Sequence, residues 1–272
     1  MHAFSVRDYV TLYATRFRID LASMFAYRGA IAIWTLGLIF YPIVTLVVWT
    51  TVAKSQGGSS GGFTAGEYAA YFIVLMVVNH LTFIWQSWEQ EWRIRTGWYS
   101  PILLRPVHPI HQDVTVNLTF KLLGLVAVIP SAIALAFVFD AKFDSSVLDV
   151  VAFIPALMLA MTLRFVFEWT LGLLAFWVTK TSAMLHLYGA LSLFLAGQIA
   201  PLDLFPDSVR TIASILPFRW MLSFPVEVML GQRTGTEMLA GLGAQVVWIG
   251  LSFLGLKLLW SRAVARYSAV GA

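Results

Sequence analysis

The chain alternates long apolar runs with short polar connections. Uncharged stretches cover residues 29–53, 68–88, 122–139 and 181–202. A further run, 150–178, is interrupted by Arg164 and Glu168, and another, 238–260, meets only Lys257. A helix rising about 1.5 Å per residue needs about 20 apolar residues to cross a bilayer. The pattern therefore predicts six spans, at about 29–53, 67–88, 118–139, 148–178, 182–201 and 237–260. Ahead of them, in residues 5–27, Val6, Tyr9, Val10, Tyr13, Phe17, Leu21, Met24 and Phe25 recur at helical spacing, with Arg7, Asp8, Thr11, Thr15, Arg18 and Ser23 largely opposite. That is the pattern of an amphipathic helix lying in the membrane interface. A passive anchor and a mechanical element both fit it.

Three connections have characters of their own. Residues 56–62 (QGGSSGG) read as a flexible spacer that holds no fold. Residues 89–116 continue the second predicted span as a charged helix, with Glu89 and Arg93 one turn apart. Gly97 can end that helix, and Ser100-Pro101 can open a short one as N-cap and first residue. Pro106 and Pro109 stop it, leaving Ile102, Leu103, Leu104 and Arg105 displayed. An apolar patch of that kind waits for a partner, or else sits in the interface as an ordinary loop. Residues 202–231 are too apolar for a free loop and too broken by prolines for a span. Two short helices, 209–216 and 218–230, dipping back into the membrane fit them.

Composition agrees with the spans. The 272 residues are 59% hydrophobic and only 12% charged, with a mean hydropathy of +0.79. A soluble domain carries about twice that charge, and a disordered chain has far fewer apolar residues. The net charge of +4 then reflects loop bias rather than nucleic-acid binding. Twelve Lys and Arg fall on the side of the termini and five on the other, which predicts cytoplasmic termini. The first 28 residues carry four Arg and two Asp, unlike a signal peptide. A single transmembrane domain, 1–272, is expected, with no soluble domain and no repeat.

The chemistry that the sequence lacks narrows the function. It has no cysteine and no phosphate-binding G-x-x-x-x-G-K-[ST] loop. It shows no H-E-x-x-H zinc motif, and His108 and His111 read as exposed loop histidines. No enzyme constellation is apparent, so no catalytic residue, metal or bound cofactor is assigned. Arg164 and Glu168 are the two charges placed inside a span, one helical turn apart. They suit either a polar point on a substrate path or subunit seam, or an ion pair that fixes packing.

Taken together, the elbow helix, six spans, short cytoplasmic helix and broken outer pair resemble the membrane subunit of type-2 ABC exporters. The likeness is to the bacterial branch described only as uncharacterised ABC transport permeases. It rests on three elements. Gly97, Ser100, Leu103, Leu104, Arg105, Pro106 and Pro109 match G-x-x-S-x-x-L-L-R-P-x-x-P. Gly172, Leu173, Ala175, Phe176 and Trp177 match G-L-x-A-F-W. Gly197, Pro201, Leu202 and Pro206, then Leu216-Pro217-Phe218 and Phe224-Pro225, match the third. The resemblance implies an all-α permease of the cytoplasmic membrane, pairing with a second permease, identical or paralogous, and with two ABC ATPase subunits that hold the ATP and Mg. It makes the segment around Ser100–Arg105 the ATPase-coupling helix. It puts Arg164, Glu168, Phe176 and Trp177 on the path or seam, and Gly197, Pro201, Pro206, Pro217, Phe218 and Pro225 in the re-entrant region. It favours export of an amphipathic or hydrophobic drug-like or lipid-like substrate, with lipid or glycan export as the alternative. A secondary transporter usually shows repeated halves and several ion-coupling carboxylates, and neither is apparent here.

Overall fold

The computed structural model describes residues 5–178 and 180–267, with the backbone alone at 28, 31, 35, 38 and 41. It is almost entirely helical. Helix α1 (Val6–Ala26) is started by a capping box, Ser5 accepting from the Asp8 N–H while the Asp8 carboxylate takes the Ser5 N–H. Tyr27 joins it to α2 (Arg28–Ser55), whose 28 residues extend about 42 Å at about 1.5 Å each.

The spacer reading of 56–62 fails. The segment folds as a small hairpin, β1 (Ser59–Ser60) pairing antiparallel with β2 (Phe63–Thr64). Glycines at left-handed φ make the turn, and the Tyr68 hydroxyl donates to Ser60 O at 2.9 Å. Thr64 and Glu67 form a second capping box at the head of α3 (Ala65–Thr82).

The second predicted span does not run on as one helix into the charged segment. The chain breaks at Phe83–Trp85, where Phe83 has ψ 141°. The carbonyl freed at Phe83 accepts from Asn117 Nδ2 at 3.0 Å, so the break is satisfied from outside the helix. Helix α4 (Gln86–Arg95) then turns through Gly97 to α5 (Tyr99–Leu103). Helix α6 (Ile110–Val138) starts behind Pro109, its first residue lying eight before the predicted 118. Helix α7 (Val147–Gly172) is opened by a Ser146–Asp149 capping box and ends in a 3-10 turn, Leu173–Phe176.

The predicted span 182–201 is helical only over α8 (Ser182–Leu195), 14 residues, because the chain turns out at Ala196–Gly197. Next come a 3-10 turn (Leu202–Leu204), α9 (Asp207–Ile215), α10 (Pro217–Met221) and α11 (Ser223–Met229). The expected single helix 218–230 is thus two, split at Leu222 (φ −133°, ψ −67°). Helix α12 (Gly235–Arg266) closes the described chain.

Helix α3 is the hub. Nearly all of its side chains from Tyr68 to Val78 are buried, and α2, α6, α7 and α11 surround it. Helix α12 lies along α7, and α1 lies on α6. Around this core, α2, α6, α7 and α12 turn large apolar side chains outward; Phe137 is 83% exposed and Val126 76%. Four helical stretches are long and apolar enough to cross a membrane: Ala65–Arg95, Ile110–Val138, Val147–Phe176 and Gly235–Arg266. An outward apolar surface on such helices is what hydrocarbon chains solvate.

Candidate functional site

The connection after α4 is held by a chain of charges. Arg93 donates to both Asp113 oxygens, at 2.8 and 3.0 Å, and also pairs with Glu89. Asp113 is 1% exposed and takes a further hydrogen bond from Trp169 Nε1 at 2.8 Å. One carboxylate therefore ties α4, α6 and α7 together. Glu91 accepts from the backbone N–H groups of Thr181 and Ser182 at 2.9 and 3.3 Å, anchoring α4 to the start of α8. The negative carboxylate at that helix start opposes the positive end of the α8 dipole.

Gly97 takes φ 75°, which a side chain rarely adopts, and lets the chain reverse after α4. Helix α5 then has two faces. Tyr99 and Ile102 are buried, Tyr99 packing its ring against Phe176, Trp260 and Tyr267. Burial and the negative Asp113 push the Tyr99 hydroxyl well above its ordinary pKa. Pro101 on the other face is exposed, and just past the helix end so are Arg105 and Pro106, with Leu104 87% exposed. Leu103 is half-buried. Ser100 is not the helix cap; Trp98 holds that place, and the Ser100 hydroxyl pairs with the Tyr267 hydroxyl at 2.8 Å. Arg105 donates to Gln112 at 2.9 Å.

The two histidines are not free loop residues. His111 Nδ1 lies 2.8 Å from the Tyr13 hydroxyl of α1. His108 packs on Trp260 with ring centroids 4.2 Å apart. Burial, with His111 nearby, pulls the His108 pKa down to about 4. Pro109 is buried at the foot of α6.

Arg164 and Glu168 face the interior, 7% and 4% exposed. Arg164 Nε donates to Glu168 at 2.7 Å, and Nη1 donates to Asn79 and Thr82 on α3 at 2.8 and 2.9 Å. The Tyr188 hydroxyl of α8 donates to the same Glu168 oxygen at 2.9 Å. The cluster is a brace joining α3, α7 and α8. Phe176 and Trp177 are not with it: Phe176 sits at the end of α7 against Tyr99 and Tyr267, and Trp177 lies beside it.

The broken region before α12 packs tightly. Gly197 has φ 70° and its carbonyl accepts from the Tyr71 hydroxyl at 2.9 Å. Pro201, Pro217 and Pro225 are buried and Pro206 is exposed. Phe218 stacks on Tyr188 at 5.4 Å. Asp207 is the first residue of α9, behind Pro206.

Three groups escaped the sequence reading. Lys121, placed on the cytoplasmic face with the other basic residues, is 3% exposed and lies inside α6. So Arg164 and Glu168 are not the only interior charges. Its nearness to a span boundary was the available signal. Asp113 finds its partner twenty residues away in sequence, where no helical spacing applies. Glu227, 2% exposed, binds Arg219 at 2.9 Å across the α10–α11 break and Arg233, beyond α11, at 2.8 Å.

A family model described as ABC-2 family transporter protein matches residues 39–271. No curated protein and no solved structure matches the chain. The match takes in α3 to α12 whole, including the four long apolar helices, the two-faced α5 and the broken region before α12. The chain belongs to the ABC-2 transporter family and is a membrane subunit of a transporter, not itself a catalyst.

Proposed function

We propose that this chain is the permease half of an ATP-driven exporter, in which α5 is the helix that docks into a separate ABC ATPase. Two ATPase subunits and a second permease complete the machine, and ATP with Mg belongs to the ATPases. The observation that carries the reading is the split character of α5. One face is locked into the bundle by Tyr99 and Ile102, while Leu104 and Arg105 are left outside. A helix built to pass force needs such a rigid back and a free front. In this reading α2 and α8 cross the membrane with the four longer stretches, α1 lies in the interface, α9 to α11 form the outer re-entrant region, and both termini are cytoplasmic.

An amphipathic or hydrophobic substrate is supported by a cavity of about 820 Å³ between α2 and α4, lined by Trp34, Trp85, Trp88, Trp92 and Trp98 beside Glu89. Clustered indole rings offer large apolar faces with polar edges. Export of a drug-like compound is the form of this reading to test first. The experiment is gentle detergent purification of the full chain with identification of what co-elutes. The expected result is an ATPase, lost with Leu104→Glu or Arg105→Ala while the thermal midpoint is unchanged. Recovery of the wild-type chain without an ATPase would overturn the reading.

A further inference from the structure

Helices α6 and α7 both lean on α3 but scarcely touch each other. The crevice between them is a cavity of about 340 Å³. Met158, Met161, Phe165 and Phe253 give it an apolar wall, Tyr13 borders it from α1, and Lys121 lines it from α6. Methionine and phenylalanine make an adaptable apolar surface that takes flexible chains well.

The other polar groups around it are committed. The Tyr13 hydroxyl is with His111, the Asn117 amide donates to Phe83 O and Gln86, and the Thr162 hydroxyl donates to Met158 O. Lys121 differs. Among the described residues its ammonium has neither a hydrogen bond nor a carboxylate within 4.0 Å, and the residue, only 3% exposed, opens onto the crevice. The charged groups that face it are Arg164 and Glu168, and those two already satisfy each other. With Lys121 protonated, Lys121, Arg164 and Glu168 together leave one positive charge uncompensated beside an apolar slot. A buried charge needs a partner, and an ammonium carries donors only, so the partner must be an acceptor.

We infer that this crevice is a binding site for an anionic single-chain amphiphile, its head on Lys121 and its chain along Met158, Met161, Phe165 and Phe253. The single chain follows from the volume, which lies at the small end of the roughly 300–1,000 Å³ of ligand pockets. The site does not depend on ATPase docking, so the two proposals fail separately.

The test uses the full chain in phosphatidylcholine nanodiscs, with radiolabelled oleate as the probe. Lys121→Met should weaken oleate binding by about tenfold or more, and Lys121→Arg should keep it within about threefold. Oleyl alcohol, which has the chain without the charge, should compete poorly. Met161→Trp, which fills the slot and leaves Lys121 in place, should abolish binding and keeps the test valid should Lys121→Met not fold. Unchanged oleate affinity in Lys121→Met or Met161→Trp, or equal competition by oleyl alcohol, would overturn the proposal. Displacement of oleate by phosphatidylglycerol at equal mole fraction would assign the site to a diacyl lipid and overturn the single-chain occupant.

Discussion

Removing one partner of the Arg164–Glu168 brace should cost far more than removing both. Glu168→Leu leaves the Arg164 guanidinium, 7% exposed, with only the neutral oxygens of Asn79 and Thr82. Arg164→Leu strands the Glu168 carboxylate with the Tyr188 hydroxyl as its one hydrogen bond and Lys121 as a nearby charge that no hydrogen bond joins to it. Breaking a buried ion pair from one side costs about 3–5 kcal/mol. The double variant leaves neither member of the pair stranded, with Lys121 the one charge of the group that remains, and loses only hydrogen bonds to neutral partners, worth about 0.6 kcal/mol each on average within membranes. Its expected cost is about 1–3 kcal/mol, so the double-mutant cycle should show a coupling of at least about 3 kcal/mol. The assay is unfolding in mixed micelles against SDS mole fraction, followed by the fluorescence of the chain's 11 tryptophans. If the double variant's cost equals the sum of the single ones within about 0.5 kcal/mol, the charges do not compensate each other and the brace is wrongly understood.

Other perturbations address other parts of the molecule. Gly197→Ala should destabilise the chain by roughly 1–3 kcal/mol, because the position has φ 70° and a Cβ there would lie 2.4 Å from the Tyr71 hydroxyl oxygen; a thermal midpoint equal to wild type would refute this. Asp113→Asn leaves Arg93 without its buried counter-charge and should lower stability by about 3 kcal/mol, measured in the same SDS titration. His108 is held neutral in the fold, with its pKa down at about 4. The unfolded chain then binds the proton first, so stability should fall as pH drops from about 6.5 toward 4 and level off below. His108→Phe should flatten that slope, as melting curves at successive pH values would reveal. Tyr99→Ala should keep ATPase co-elution, since the outer face of α5 is untouched, yet lose substrate export from vesicles. Loss of co-elution by that variant would show that the two faces of α5 are not independent.

Features written by local rules were legible in the sequence. Helix starts at Thr64–Glu67, Ser146–Asp149 and Thr234–Glu237 are capping boxes whose residues lie three apart. The turn at Gly97 and the apolar stripe of α1 have the same local origin. What the sequence hid depends on partners far along the chain. The break at Phe83 exists because Asn117 accepts the task of satisfying its carbonyl. Ser100 looks like a cap, but its hydroxyl is taken by Tyr267, 167 residues away. The spacer at 56–62 becomes a hairpin because Tyr68 reaches Ser60. Lys121 sits near the start of a predicted span, where it counts with the basic residues of one face, yet its burial follows from how α6 packs on α3, which spacing does not encode.

The interior polar contacts share a design that bears on how force would travel. Several are made to backbone carbonyls of a different element: Trp49 to Ile199, Tyr71 to Gly197, His80 to Lys121, and Gln245 to both Ala156 and Trp220. The carbonyls of Gly197 and Ile199 lie in an irregular segment and have spare acceptor sites, those of Lys121 and Ala156 lie within α6 and α7 and use a second lone pair, and with little water about them a neighbouring side chain fills the site. Such bonds fix the position of one segment against another rather than strengthening either alone. They converge on α3 and on the broken region before α12. At the opposite end, the Tyr99 ring is enclosed by Phe176 of the α7 terminus and by Trp260 and Tyr267 at the end of α12. A close-packed interior does not yield gradually. A push on α5 must therefore move the ends of α7 and α12 with it, and α7 carries the brace that holds α3 and α8. The short helix α5 and the buried charge pair are in this way parts of one rigid train, joined by the length of α7.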